Sequence, residues 1–266
     1  MKRISFLGAT PPVRKPRGRR LLIMCLMLVV TVLGIQAGTI SSASAATVTS
    51  GVNIRPCVNL ANPVCNPVGT TSSTGVSTIR CWRDGSTATG AYTSNRWFLV
   101  YLADGREGYV HSSFVGGQYV TPNCSNLAYV RAADQALSYV GQVYANSTIA
   151  SMYAASDWAP GPYGEWSGDC AKLTHSSYVY GAGVAYETGN AIVQYQKYRN
   201  KGQIYGGLPR YGAPVFYNIA APYGHTAIYV GGTTIVSTQG MDNARLQVAR
   251  RDIYSFGNYL GWARIG

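Results

Sequence analysis

The placement of its cysteines constrains this chain more than any other feature. Of six, Cys57, Cys65, Cys81 and Cys124 fall within residues 46–124, Cys170 stands alone in the second half, and Cys25 lies in an N-terminal apolar run. Four clustered cysteines without C-x-x-C spacing read as two disulfides rather than as a zinc site. Three pairings are possible, and the spacing does not choose among them. A fold built on such bridges must form in an oxidising compartment. An unpaired thiol in that compartment is either buried and inert or chemically employed, so Cys170 needs a separate account.

Residues 1–45 fit the same compartment. A basic leader ends at Arg19-Arg20, an apolar run extends from Leu21 to Ile35, and a small, polar stretch closes with Ala43-Ser44-Ala45. This is the order of a secretory signal peptide. The 15-residue run is short for a spanning helix, which needs about 20 residues. Bulky Ile23 and Met24 ahead of Cys25 argue against lipid attachment there. The expected product begins at Ala46, outside the cell, without stable membrane insertion. The export route stays open between the general and the twin-arginine pathway.

The formal net charge of +12 is concentrated in that leader, which holds seven bases and no acid. The rest carries 15 bases and 10 acids, or +5. Without a dense basic stripe in the folded part, no nucleic-acid partner is expected. An apolar content of 47% can bury a core, and charged residues at 12% are too few for a coiled coil. No cofactor and no metal site are expected, since no metal-ligand cluster is visible.

The remainder divides in two. Residues 46–124 show short alternating runs at 47–49, 78–80, 97–101 and 108–110, with Asp104-Gly105 as a hairpin turn between the last two. They predict a small all-β barrel. Residues 125–266 predict helices over 128–144, 170–180 and 190–201, with a Gly/Pro/Trp-rich loop at 145–168 between the first two. Strands follow at 213–217, 225–230 and 234–238, and a last one ends at Ala263. Helices first and an antiparallel sheet after them give an α+β domain.

Cys170 opens the second helix, with Ser167 or Asp169 as its cap. The helix dipole there favours thiolate and Asp169 opposes it, so the larger shift toward thiolate is expected from an imidazolium partner. Three histidines compete for that role. His111 belongs to the first half and reads as structural. His175 follows Cys170 by five residues, which turns it ~140° away around the helix. His225 begins a strand and is the expected base, with small Ala227 on the same face leaving room for a substrate chain. A third group must orient the imidazole. A three-residue loop at 231–233 pairs Val230 with Thr234, sets Ser237 opposite Ala227 and brings Gln239 opposite His225. A two-residue loop would bring Thr238 there instead. The three-residue loop is favoured, because Gln239 can accept a hydrogen bond from an imidazole N–H and hold it more firmly than a hydroxyl; Asp242 is a lesser candidate.

Two resemblances sit on these residues. Val52-Asn53-Ile54-Arg55, Trp97-Phe98-Leu99-Val100 and Gly108-Tyr109-Val110-His111-Ser112-Ser113-Phe114-Val115 resemble the bacterial SH3-like domain, apart from a cysteine-bearing insertion around 57–81. That resemblance implies a wall-tethering module. Gly168-Asp169-Cys170, Gly212-Ala213-Pro214-Val215-Phe216-Tyr217 and Gly224-His225-Thr226-Ala227-Ile228-Tyr229-Val230-Gly231 resemble the NlpC-type, papain-like peptidoglycan endopeptidases, whose fold the CHAP amidases share. It implies Cys170 as nucleophile and His225 as base. Tyr144 in Gly141-Gln142-Val143-Tyr144 matches the family's active-site tyrosine, with Tyr163 as the alternative, and Asp169 joins them as a substrate contact. The second histidine common in the family is replaced by Ser237, leaving the third catalytic position between Ser237 and Gln239. The implied activity is hydrolysis of stem-peptide bonds in peptidoglycan by a secreted, wall-associated D,L-endopeptidase. An N-acetylmuramoyl-L-alanine amidase and a non-catalytic wall-binding protein are the alternatives.

Overall fold

The computed structural model describes residues 45–72, 75–146, 159–160, 166–219, 221–242 and 245–265, the side chains at 76, 143–146, 159–160, 166–168, 239–242 and 245–246 excepted. The expected leader as far as residue 44, and Tyr163, lie outside the described residues. Among the described residues no helix is long and apolar enough to cross a membrane.

The first half contributes β1 (Ala46–Val48), β2 (Asn53–Ile54), β3 (Gly69–Thr70), β4 (Gly75–Thr89), β5 (Thr93–Tyr101), β6 (Glu107–His111) and β7 (Val115–Gly116). Five of them form an antiparallel sheet in the order β6-β5-β4-β1-β7, and β2 pairs with β3. The short alternating runs at 78–80 and 97–101 are segments of longer strands. Gly105 (φ +87°) makes the turn between β5 and β6, its N–H bonded to Leu102 O at 3.0 Å. Val48, Ile79, Phe98, Val100, Val110 and Val115 are buried together as the local core. The disulfides are Cys57–Cys65 and Cys81–Cys124, which selects one of the three pairings.

Helix α1 (Ala128–Ser138) buries Val130, Ala133 and Leu137 at helical spacing. It ends six residues before the expected boundary at 144. Gly141 takes the left-handed conformation (φ +88°), and its N–H donates to Val248 O at 2.8 Å. The chain then enters β8 (Val143–Asn146), where Tyr144 pairs with Leu246. The expected loop at 145–168 contains two short strands, β9 (Ala159–Pro160) and β10 (Trp166–Gly168), and β10 runs parallel to β8. Next come α2 (Cys170–Ser176), which continues as a π-helical turn over Ser177–Ala182, and α3 (Ala191–Asn200). Asn190 caps α3 by accepting the Val193 N–H at 3.0 Å.

Strands β11 (Ile204–Tyr205), β12 (Pro214–Tyr217), β13 (His225–Gly231), β14 (Thr234–Asp242), β15 (Arg245–Asp252) and β16 (Tyr259–Ala263) complete a nine-stranded sheet. Its order is β11-β16-β12-β13-β14-β15-β8-β10-β9, antiparallel except at β8–β10. One face buries Phe216, Ile228, Val230 and Val236 in the same cluster as the helices. The other buries Val215, Ala227, Tyr229 and Ile235. Helices packed on an antiparallel sheet make this half α+β.

The two halves share a core. Tyr109 and Leu99 lie in one cluster with Val130, Tyr211 and Ile228. Polar contacts frame it. Arg83 Nη1 sits 2.9 Å from both Asp134 oxygens, and the Tyr211 hydroxyl donates to Pro56 O at 2.6 Å. Arg250 donates to Val64 O and Asn66 O beside the Cys57–Cys65 loop, at 3.1 and 2.8 Å. The tip of the β13–β14 hairpin abuts β6, with Gly232 N–H bonded to Glu107 O at 2.8 Å. A Cβ on Gly231 (φ +105°) would stand 2.6 Å from that carbonyl. Strained backbone and a backbone clash act together at this position, so Gly231→Ala is expected to cost about 3 kcal/mol, read from the urea midpoint.

Candidate active site

Asp169, in extended conformation, ends the approach to α2, and its carboxylate accepts the Lys172 N–H at 2.9 Å. The cap places Cys170 at the first helical position. Of the two expected caps, Asp169 is the one in use, and its described contact is to the helix backbone. Cys170 is a free thiol on a half-buried residue. The backbone N–H groups of Thr226, Ala171 and Cys170 itself are near enough to favour a negative sulfur. That of Thr226 sets the thiol against the start of β13, one residue from His225.

His225 is fully buried. Its Nε2 lies 2.7 Å from Ser237 Oγ, and the Ser237 hydroxyl donates to Thr238 O at 2.7 Å. A hydroxyl has one proton, so Ser237 Oγ must accept from Nε2–H. That assigns the tautomer. Nδ1 carries the lone pair, and it finds no hydrogen-bond partner among the described residues. The ring packs 4.5 Å from Phe256 and 6.1 Å from Tyr217, centroid to centroid.

The hairpin register brings Ser237 to this place. Ile228 pairs with Val236 and Tyr229 with Ile235, the register expected for a three-residue loop. The loop itself differs: Gly231 pairs with Thr234, and the extra residue is absorbed as a bulge at Val230. The side chains of Gln239 and Asp242 lie outside the described residues, as does that of Tyr144. Ala227 does not line an opening; it is fully buried with Val215 and Tyr229. His175 is buried against Tyr186, ring centroids 6.3 Å apart. His111 is held by Ser113 Oγ at 2.8 Å and Ser94 O at 2.9 Å, within the first half. Phe256, which covers His225, carried no recognisable signal, because it sits in the turn between β15 and β16 outside any motif. Among the described residues no His, Cys, Asp and Glu cluster able to hold a metal is present.

Electrostatics reverse one expectation. Burial, reinforced by the Asp169 carboxylate, pushes the Cys170 thiol up to about 12 despite the three nearby amides. Burial, with Arg251 as a second cause, lowers His225 to about 4. The resting pair is therefore neutral thiol and neutral imidazole, not thiolate and imidazolium. The helix start stabilises negative sulfur by less than desolvation opposes it.

No protein-family model matches the chain, and no curated protein matches it. Solved structures do. NlpC1 from Trichomonas vaginalis is similar at 15% identity over 83% of this chain and 68% of that one, with a TM-score of 0.36. The peptidoglycan hydrolase RipB from Mycobacterium tuberculosis is similar at 18% identity over 53% of this chain and 66% of that one, TM-score 0.39. The P60 domain of an antigen from M. avium subspecies paratuberculosis is similar at 20% identity over 52% of this chain and 94% of that one, TM-score 0.38. At these identities and scores the likeness assigns no function.

The lowered imidazole has a consequence for stability. Between about pH 6.5 and about pH 4 the unfolded chain binds a proton that folded His225 does not. Its contribution to stability is whole above that window and is lost as pH falls through it, roughly 3 kcal/mol in all. Urea midpoints followed from neutral to acidic pH should drop across the window, and His225→Gln should flatten that part of the curve.

Proposed function

We propose that this chain is a secreted cysteine hydrolase of peptidoglycan stem peptides. In this reading residues 1–45 are its signal peptide, 46–124 an SH3-like wall-binding domain and 125–266 the NlpC-type catalytic domain. The observation that carries it is the Ser237 bond to His225 Nε2, which leaves Nδ1 basic beside a strand whose next amide lies near the Cys170 sulfur. A nucleophile, a base with the correct nitrogen free and an orienting group are the parts acyl transfer requires. The two disulfides suit an extracellular location.

The proposed chemistry begins with the neutral pair. Cys170 passes its thiol proton to His225 Nδ1 as sulfur bonds to the scissile carbonyl carbon. Backbone N–H groups at the start of α2 face the developing oxyanion. The imidazolium then gives its proton to the leaving amine as the C–N bond breaks, and a thioester remains. Water attacks the thioester, His225 takes the water proton, and the thiolate leaves and is reprotonated. The products are a carboxylate fragment and the free thiol. Ser237 acts through His225, holding its ring and tautomer, and is a positioning residue. A hydroxyl stabilises imidazolium less than a carboxylate would, in keeping with the low His225 value.

A non-catalytic wall-binding protein is the second reading, favoured by the complete burial of His225 and the raised thiol. Purified peptidoglycan incubated with the unaltered protein and with Cys170→Ala separates the two. Release of fragments by the unaltered protein alone is expected, and their masses distinguish endopeptidase from amidase cleavage. Sedimentation of both proteins with the wall, without release, would establish the binder.

On a soluble stem-peptide substrate, Ser237→Ala should lower kcat about 100-fold, the lower end of a general-base contribution, with KM within about twofold. Ser237→Thr, which keeps the hydroxyl, should recover part of the loss. A change confined to KM would remove Ser237 from the positioning role.

A further inference from the structure

A cavity of about 350 Å³ opens where the two halves meet, and Cys170, His225 and Ser237 do not line it. One of its walls is Ala213, the residue before β12, whose far end at Tyr217 pairs with His225. Four residues of strand separate those ends, ~13 Å at the usual rise. The cavity is thus a second site, within the size range of small-ligand pockets.

Its charge is unbalanced. Arg80 and Arg210 both stack on Tyr101, guanidinium carbon to ring centroid 5.0 and 5.4 Å. Both pair with buried Glu107, at 3.1 and 3.7 Å. That carboxylate also accepts the Tyr211 N–H at 2.7 Å. Arg264 lines the same space and has no acidic partner among the described residues. Three arginines therefore line a cavity whose one lining carboxylate is already paired. Tyr205 and Trp262, ring centroids 4.9 Å apart, supply an aromatic wall. Trp262 is fixed by its indole N–H, which donates to Gly206 O at 3.1 Å. Pre-positioned guanidinium beside a rigid aromatic face recognises a carboxylate carried on a compact body.

We propose that this cavity binds the carboxylate-bearing fragment of a wall stem peptide. The charge of the ligand follows from the arginines alone, whereas its identity rests on the hydrolase reading above. Amide hydrolysis adds hydroxide to the acyl side and a proton to the amine. It thereby creates a carboxylate at a position where the uncut strand has a neutral amide. A positive cavity prefers the cut fragment to the intact one.

The probe is N-acetylmuramyl-L-alanyl-D-glutamate, compared with its diamide and titrated calorimetrically into purified protein carrying Cys170→Ala. The acid should bind at least ~10-fold more tightly than the diamide, since each lost guanidinium–carboxylate pair weakens binding by about that factor. Arg264→Ala should weaken the acid at least ~5-fold, and Arg264→Lys should keep part of the affinity. Arg264 is exposed, so a melting curve is expected to find both variants folded. Equal binding of acid and diamide, or binding of neither, overturns the proposal. Should the unaltered protein release nothing from peptidoglycan while the acid still binds through Arg264, the hydrolase reading falls and the site stands. Cleavage of peptidoglycan without binding of the acid removes the site alone.

Discussion

Glu107 is the residue on which the arrangement of the two halves depends. Its backbone carbonyl accepts the Gly232 N–H at the tip of the β13–β14 hairpin, and its carboxylate accepts the Tyr211 N–H ahead of β12. Arg80 from the first half and Arg210 from the second neutralise it. Burial raises this carboxyl above the usual range even so. A buried acid is tolerable only where its partners are fixed, and these partners come from two separate segments, Arg80 in the first half and Arg210-Tyr211 in the second. The same contacts set where the first half rests, namely at the hairpin end of β13. His225 begins that strand, six residues away, or ~20 Å along it. Among the described residues the hydrogen-bond and ring neighbours of His225 and Ser237 are Thr238, Tyr217 and Phe256, all from the second half. That separation suits a tether proposed to hold the chain to a polymer while leaving the thiol end of the sheet to the substrate.

The thiol and imidazole depend on a different balance. Their environment is dry enough to hold both neutral, so any reaction must transfer the thiol proton as sulfur attacks. The Ser237 bond settles which nitrogen is available for it. Burial of the ring first, and the Arg251 charge second, disfavour imidazolium. Proton transfer in such a site would be favourable only while a substrate carbonyl is there to take up the charge.

Much of this was legible in residue pattern, and the failures have physical causes. Strands β12, β13 and β14 and helix α3 are continuous runs bounded by Gly, Pro and Asn, so their periodicity and punctuation agree. The register at Ile228–Val236 and Tyr229–Ile235 agrees with the expected odd loop, but both faces of β13 and β14 are apolar, so alternation alone does not choose it. The bulge at Val230 was not legible, since a bulge leaves the side-chain pattern unchanged. Helix α1 was overextended because Val140 and Val143 continue an apolar spacing, and one left-handed glycine outweighed it. Strand β15 was missed because Arg245, Arg250, Arg251 and Asp252 dilute its alternation; its bonds to β14 decide its structure, not its composition. The thiol was misjudged for a related reason. A helix start can be read from sequence, but desolvation is a property of what packs around it.

The Arg250 contacts to Val64 and Asn66 span 186 and 184 residues of chain, and Tyr211 reaches Pro56 across 155. A chain is made from its N-terminus, so residues 46–124 emerge well before the segments that cover them. During that interval the Glu107 carboxylate lacks Tyr211 and Arg210, and the shared apolar cluster around Tyr109 lacks its second wall. The early half must wait, incompletely enclosed, for its own distant continuation. The Cys57–Cys65 and Cys81–Cys124 bridges both lie in or beside that waiting half. By restricting the unfolded alternatives of the segment that is first to appear and last to be covered, they protect it when it is most exposed to aggregation and proteolysis.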